Sequence, residues 1–132
     1  MAIRVLAVDD EADILRLVEI KLKKAGFDVT TAHDGQEGLE RATEDHPDVV
    51  LLDVMMPRMD GYTACGRIKA EVQPAPIVIM LTAKGQDTDV VTGLAGGADD
   101  YIIKPFAPRE LIARINVALI KAGKQPVAVA ES

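Results

Sequence analysis

Three short runs of branched apolar residues constrain this chain more than anything else in it: Ile3–Val8, Val49–Leu52 and Ile77–Leu81. They show little polar alternation, which is the pattern of strands covered on both faces. Asp28–Ala32 and Tyr101–Ile103 are shorter or more polar, as edge strands of the same sheet would be. Helix-like segments separate these runs. Ala12–Ala25 sets Ile14, Val18, Leu22 and Ala25 on one stripe, with Gly26 just past its end. Gly35–Asp45 carries Leu39 and Ala42 inward and stops before Pro47. Asp60 is placed to cap a helix reaching Glu71, and Pro108 suits the first turn of a last helix with Leu111, Ile115 and Leu119 on its apolar face. Thr88–Gly97, built largely of glycine, valine and threonine, predicts a short and weakly held helix.

Strand and helix thus alternate five times. That predicts an α/β fold with a flavodoxin-like (βα)5 arrangement, a doubly wound parallel sheet with right-handed crossovers. Strand order 2-1-3-4-5 places the three apolar runs centrally and the two weaker ones at the edges. Ligand chemistry is then expected at the carboxyl ends of the strands, beside the switch point between the first and third. The 132 residues suit one domain, with 48% apolar and 27% charged residues, enough to fill one core. Residues 1–122 are read as that domain and 123–132 as a flexible tail or linker.

A net charge of −6 argues against direct nucleic-acid binding by this domain. No segment approaches the roughly 20 apolar residues of a membrane span, and no cleavage signal follows a basic start. A cytoplasmic protein without membrane association is therefore expected. The single cysteine, Cys65, forms no intrachain disulfide and is read as a small packed residue.

Each predicted strand of the centre ends in a polar residue. Asp9, Asp10 and Glu11 follow the first, Asp53 the third and Thr82 the fourth, while Lys104 and Pro105 end the fifth at the edge. Each has an ordinary reading alone: a helix cap, a loop cap, a satisfied hydroxyl, a solvated charge. The predicted topology gathers all of them at one edge of the sheet. Clustered carboxylates repel and raise one another's pKa unless a cation intervenes. Hard oxygen ligands with room for water suit Mg²⁺ or Mn²⁺. Asp53 could then act as a nucleophile toward a phosphoryl group, with the Lys104 charge and the Thr82 hydroxyl meeting the phosphoryl oxygens.

At these positions the chain resembles the receiver domains of two-component signalling systems. The matching stretches are Val8-Asp9-Asp10-Glu11, Leu51 to Pro57 with Asp60-Gly61, Leu81-Thr82-Ala83, and Gly97 to Tyr101 with Lys104-Pro105-Phe106, spanning residues 3–121. The resemblance implies that Asp53 is the phosphoacceptor. Asp10 and Asp53 would be carboxylate ligands of Mg²⁺, Asp9 would act directly or through water, and Met55 would offer its backbone carbonyl. Thr82 and Tyr101 match a switch pair, Lys104 the family's lysine, and the bond to Pro105 is expected to be cis. Met55 and Lys84 fall where the family sets the rate of dephosphorylation; the apolar Met55 implies slow loss of the phosphoryl group.

The resemblance further implies a sensor histidine kinase or phosphotransfer protein as donor. The surface of the fourth helix, fifth strand and fifth helix would signal to a downstream protein or fused output domain. Asp100 and Arg114 match one charged pair used by the family's dimerising branch, whereas Glu110 finds no basic residue near Val90, and Ala95 and Asn116 lack the charges of a further pair. A monomer or a phosphorylation-dependent dimer is expected.

Three other readings are weaker. A phosphatase using a strand-end aspartate normally carries a second acid two residues later, where this chain has Met55, so no turnover enzyme is expected. A flavin-binding protein would need a phosphate-cradling first loop, and Asp9-Asp10-Glu11 repels phosphate. A phosphate-independent adaptor would not need the acidic, hydroxyl and lysine set.

Overall fold

The computed structural model describes residues 2–56, 58–83 and 97–126. Among them are five strands: β1 (Arg4–Val8), β2 (Asp28–Ala32), β3 (Val49–Asp53), β4 (Ile77–Ala83) and β5 (Asp100–Lys104). Three helices, α1 (Ala12–Lys24), α2 (Gly35–Asp45) and α3 (Gly61–Glu71), alternate with them, and a C-terminal helix spans Pro108–Lys121. The strands form one parallel sheet in the order β2-β1-β3-β4-β5, with β3 paired to β1 through Val5↔Val49 and to β4 through Asp53↔Leu81. This is the predicted order. The predicted helix over Thr88–Gly97 lies outside the described residues apart from Gly97.

Alternation along the central strands divides the core. Val5, Ala7, Val49, Leu51, Ile79 and Leu81 face α1 and the C-terminal helix, meeting Leu15, Val18, Leu22, Ile115 and Leu119. Leu6, Val8, Val50, Leu52, Val78 and Met80 face α2 and α3, meeting Leu39, Ala42, Ala64, Cys65 and Ile68. Burial on both faces explains why these strands lack polar alternation. Cys65 is buried, as its reading required. The stripe of α1 differs slightly from expectation. Leu15, Val18 and Leu22 are buried, while Ile14 and Ala25 are only partly so. Adjacent apolar residues at 14 and 15 let a helical period begin at either.

Helix ends follow local chemistry. Asp60 accepts the Thr63 N–H at 2.8 Å and caps α3. Asp34 accepts the Glu37 N–H at 2.8 Å, and Glu37 in turn accepts the His33 N–H at 2.7 Å. Gly61 begins α3 against the end of β3, where a Cβ would collide with the Asp53 carbonyl. Only a glycine lets α3 start this close to the strand that presents Asp53.

Candidate functional site: an acidic cluster clasped by a lysine

The carboxyl ends of β1, β3, β4 and β5 bring the expected residues to one edge of the sheet. Asp9 follows β1 and is 2% exposed; Asp53 closes β3 and is 5% exposed. Asp10 is exposed. One carboxylate oxygen from each of Asp9, Asp10 and Asp53 lies within 4.8 Å of the others. The acidic residues ahead of α1 are not spent on capping it: Glu11 occupies the cap position without a side-chain cap bond. Asp9 Oδ1 instead accepts the Glu11 N–H at 2.9 Å.

Lys104, at the end of β5, reaches across to this cluster. Its ammonium lies 2.9 Å from Asp9 Oδ2, 3.2 Å from Asp53 Oδ1 and 3.3 Å from Glu11 Oε1. The Lys104–Pro105 peptide bond is cis. Burial disfavours the Lys104 charge, but the bond it donates to Asp9 and the charge of Asp53 outweigh burial and hold its pKa above the usual value. Asp53 is pushed up to about 7, first by burial and then by the Asp9 charge, with Lys104 opposing. The cluster therefore carries more negative charge than one lysine can balance.

Those properties fit a divalent cation. The donors are hard carboxylate oxygens from separate strand ends, close enough to share one ion, and Asp53 is electrostatically penalised without one. Thr82 is buried in β4, opposite Ile103 in the register, and the strand runs one residue past it to Ala83. Tyr101 lies half-buried on β5 against the cluster shared by α2 and α3. Met55 is 65% exposed just beyond Asp53. Lys84 lies outside the described residues. Arg114 bonds both Asp100 oxygens of its own chain at 3.4 Å and lies 3.9 Å from Glu110. Glu11 is the residue at this site whose contact sequence reading did not anticipate. Its partner stands 93 positions away, and only the sheet order brings them together.

The model of the response regulator receiver domain matches residues 5–116. The chain belongs to that family, the receiver domains of two-component response regulators. It is 50% identical over 121 residues to a probable transcriptional regulator ycf27 of Guillardia theta, covering 92% of this chain and 47% of that one. It is 46% identical over 116 residues to the alkaline phosphatase synthesis transcriptional regulatory protein PhoP of Bacillus subtilis (strain 168), covering 88% and 48%. The chain thus spans about half the length of the curated relatives it matches. Among solved structures, a putative response regulator from Chloroflexus aurantiacus superimposes with a TM-score of 0.85 at 34% identity, covering 91% of this chain and 99% of that one. The BeF3-activated DrrB receiver domain gives 0.82 at 40% identity, with coverage of 91% and 99%. Among the described residues no helix is long and apolar enough to cross a membrane.

Proposed function

We propose that this receiver takes a phosphoryl group onto Asp53 from a phosphohistidine donor, held on a sensor histidine kinase or a phosphotransfer protein. The observation that carries the reading is the pairing of a buried, electrostatically penalised Asp53 with Lys104 at 3.2 Å, inside a three-carboxylate cluster. A carboxylate oxygen of Asp53 attacks phosphorus, a P–O bond forms, and the donor's P–N bond breaks with its electron pair returning to the imidazole. Asp9, Asp10 and Asp53, with the Met55 carbonyl, would hold Mg²⁺ or Mn²⁺. When bound, the ion neutralises the carboxylates and offsets phosphoryl charge. Lys104 supplies a fixed positive charge from the other side, and Thr82 a hydroxyl at the end of the neighbouring strand.

Modification adds charge and acceptor oxygens that draw on Thr82 and Lys104. Lys104 ends the strand that carries Tyr101, so the pull is transmitted to the face formed by β5 and the C-terminal helix that packs beside it. That face would signal to a downstream protein or to an output domain joined at the tail. The longer regulators among the relatives support the second arrangement. We place residues 1–122 in the receiver and 123–132 in a linker, in a cytoplasmic protein that turns over no substrate beyond its own phosphoryl group. Exposed, apolar Met55 favours slow hydrolysis of that group.

Intact mass after incubation with acetyl phosphate tests this reading. One added phosphoryl group is expected in wild type with Mg²⁺, and none in Asp53→Asn or without the cation. A gain that survives Asp53→Asn would move the acceptor elsewhere.

A further inference from the structure

The proposed chemistry asks Lys104 to meet a phosphoryl oxygen, yet its ammonium is already fully engaged. An ammonium has three N–H donors. Lys104 lies within bonding reach of three carboxylates, Asp9 at 2.9 Å, Asp53 at 3.2 Å and Glu11 at 3.3 Å. These acceptors are unequal. The side chains of Asp9 and Asp53 are 2% and 8% exposed, that of Glu11 is 59% exposed, and its contact is the longest.

We propose that Glu11 is a positioning residue: it holds Lys104 while Asp53 is unmodified and is the partner released when Asp53 takes its phosphoryl group. The proposal rests on the receiver reading and refines it. Breaking the Asp9 contact would leave a buried charge uncompensated. Asp53 keeps an oxygen beside the ammonium after modification, so the incoming phosphoryl oxygen needs a donor of its own. Glu11 can turn into water, so its release costs least. A contact made in one state and lost in the other biases the equilibrium by its own free energy. Glu11 therefore restrains modification slightly, and its removal frees one Lys104 donor in advance.

The test compares phosphorylation rates by acetyl phosphate with Mg²⁺, followed by intact mass, in wild type, Glu11→Gln, Glu11→Asp and Asp13→Asn. Asp13 is an exposed acid in the first turn of α1 and is not among the Lys104 partners. Glu11→Gln is expected to react about threefold faster than wild type, the effect of removing one exposed ion pair. Glu11→Asp keeps the charge on a side chain one methylene shorter, so it should follow Glu11→Gln, while Asp13→Asn stays with wild type. At about 1 M salt, where charges are screened beyond roughly 3 Å, the Glu11→Gln advantage should shrink toward none, which a folding effect would not do. A Glu11→Gln rate no faster than wild type, a Glu11→Asp rate equal to wild type, an Asp13→Asn rate matching Glu11→Gln, or an advantage that survives high salt would each overturn the role of Glu11 alone. A wild type that gains no phosphoryl group would overturn the receiver reading and this inference together.

Discussion

The two ends of β3 put an aspartate beside a lysine in opposite circumstances. Asp48, just before the strand, lies 3.0 Å from Lys124; Asp53, at its end, lies 3.2 Å from Lys104. Asp48 also accepts the Arg4 N–H at 2.9 Å, while its backbone bonds Arg4 and Ile77. Burial would raise its pKa, but the Arg4 N–H and Lys124 outweigh burial and lower it. Asp53 is held near 7 although it too has a lysine. The difference lies in how donors and acids are shared. At the amino end, one carboxylate meets two donors and, with the bonds of its own backbone, Asp48 ties β1, β4 and the end of the C-terminal helix to β3. At the carboxyl end, three carboxylates share one lysine. Charge balanced by the protein itself builds structure, whereas charge left in excess marks a place for an added cation or a covalent partner.

The largest expected effect breaks the crowded end. An acid whose folded pKa is raised contributes stability that is full below its unfolded value and is lost as pH rises through the folded one. For Asp53 that window runs from 3.8 to about 7. In chelator-treated buffer, Asp53→Asn should therefore be more stable than wild type at pH 8, by at most about 4 kcal/mol, the full linkage value of that shift. The gain should fade toward pH 4. Urea denaturation at several pH values measures both, and a variant less stable at pH 8 would show that Asp53 bears no such penalty. A second effect sharpens the same contrast. Mg²⁺ should stabilise wild type by about 2.7 kcal/mol at a hundredfold excess over its Kd. That Kd should tighten from pH 6 to pH 8 as Asp53 gives up its proton. Thermal shift with and without Mg²⁺ reports it, and a pH-independent Kd would detach the ion from Asp53.

The two ends were not equally legible in the sequence. The carboxyl edge could be read because strand order is encoded in apolar runs, and parallel strands deliver their last residues to one place. Strand limits were less visible. Thr82 lies within β4 and Asp100 begins β5, because backbone pairing continues into polar residues that an apolar run does not include. The cap of α2 had a local signal, Asp34 followed three residues later by Glu37, which the apolar pattern overshadowed. The Asp48–Lys124 pair spans 76 positions and the Glu11–Lys104 pair 93, and no local pattern announces either. Such pairs depend on where loops set long side chains after the sheet has formed.

The balanced end gives smaller effects of the opposite sign. An acid with a lowered folded pKa contributes stability present above its unfolded value and lost as pH falls through the folded one. Asp48→Asn should therefore cost about 1 kcal/mol at neutral pH, the scale of a charged hydrogen bond partly kept by the amide. The loss should vanish in acid, whereas the Asp53→Asn gain grows as pH rises. Equal pH dependence in the two variants would erase the contrast between the ends of β3.

The smallest effect isolates the lysine from the backbone bonds. Lys124 is 42% exposed, so its ion pair with Asp48 should be worth only about 0.5 kcal/mol. Lys124→Gln should leave the Arg4 and Ile77 bonds in place and scarcely change global stability. Its effect should be local. The Lys124 N–H donates to the Leu119 carbonyl at 2.8 Å and the Gly123 N–H to that of Ile120 at 3.0 Å, closing the end of the C-terminal helix. Without the side-chain anchor, amide exchange at Gly123 and Lys124 should accelerate several-fold, while exchange in β3 stays unchanged. If both regions accelerate together, Lys124 supports the whole sheet and the amino end is less self-sufficient than its bonds suggest. If neither does, the two backbone bonds hold the helix end alone, and the lysine beside Asp48 serves only to balance its charge.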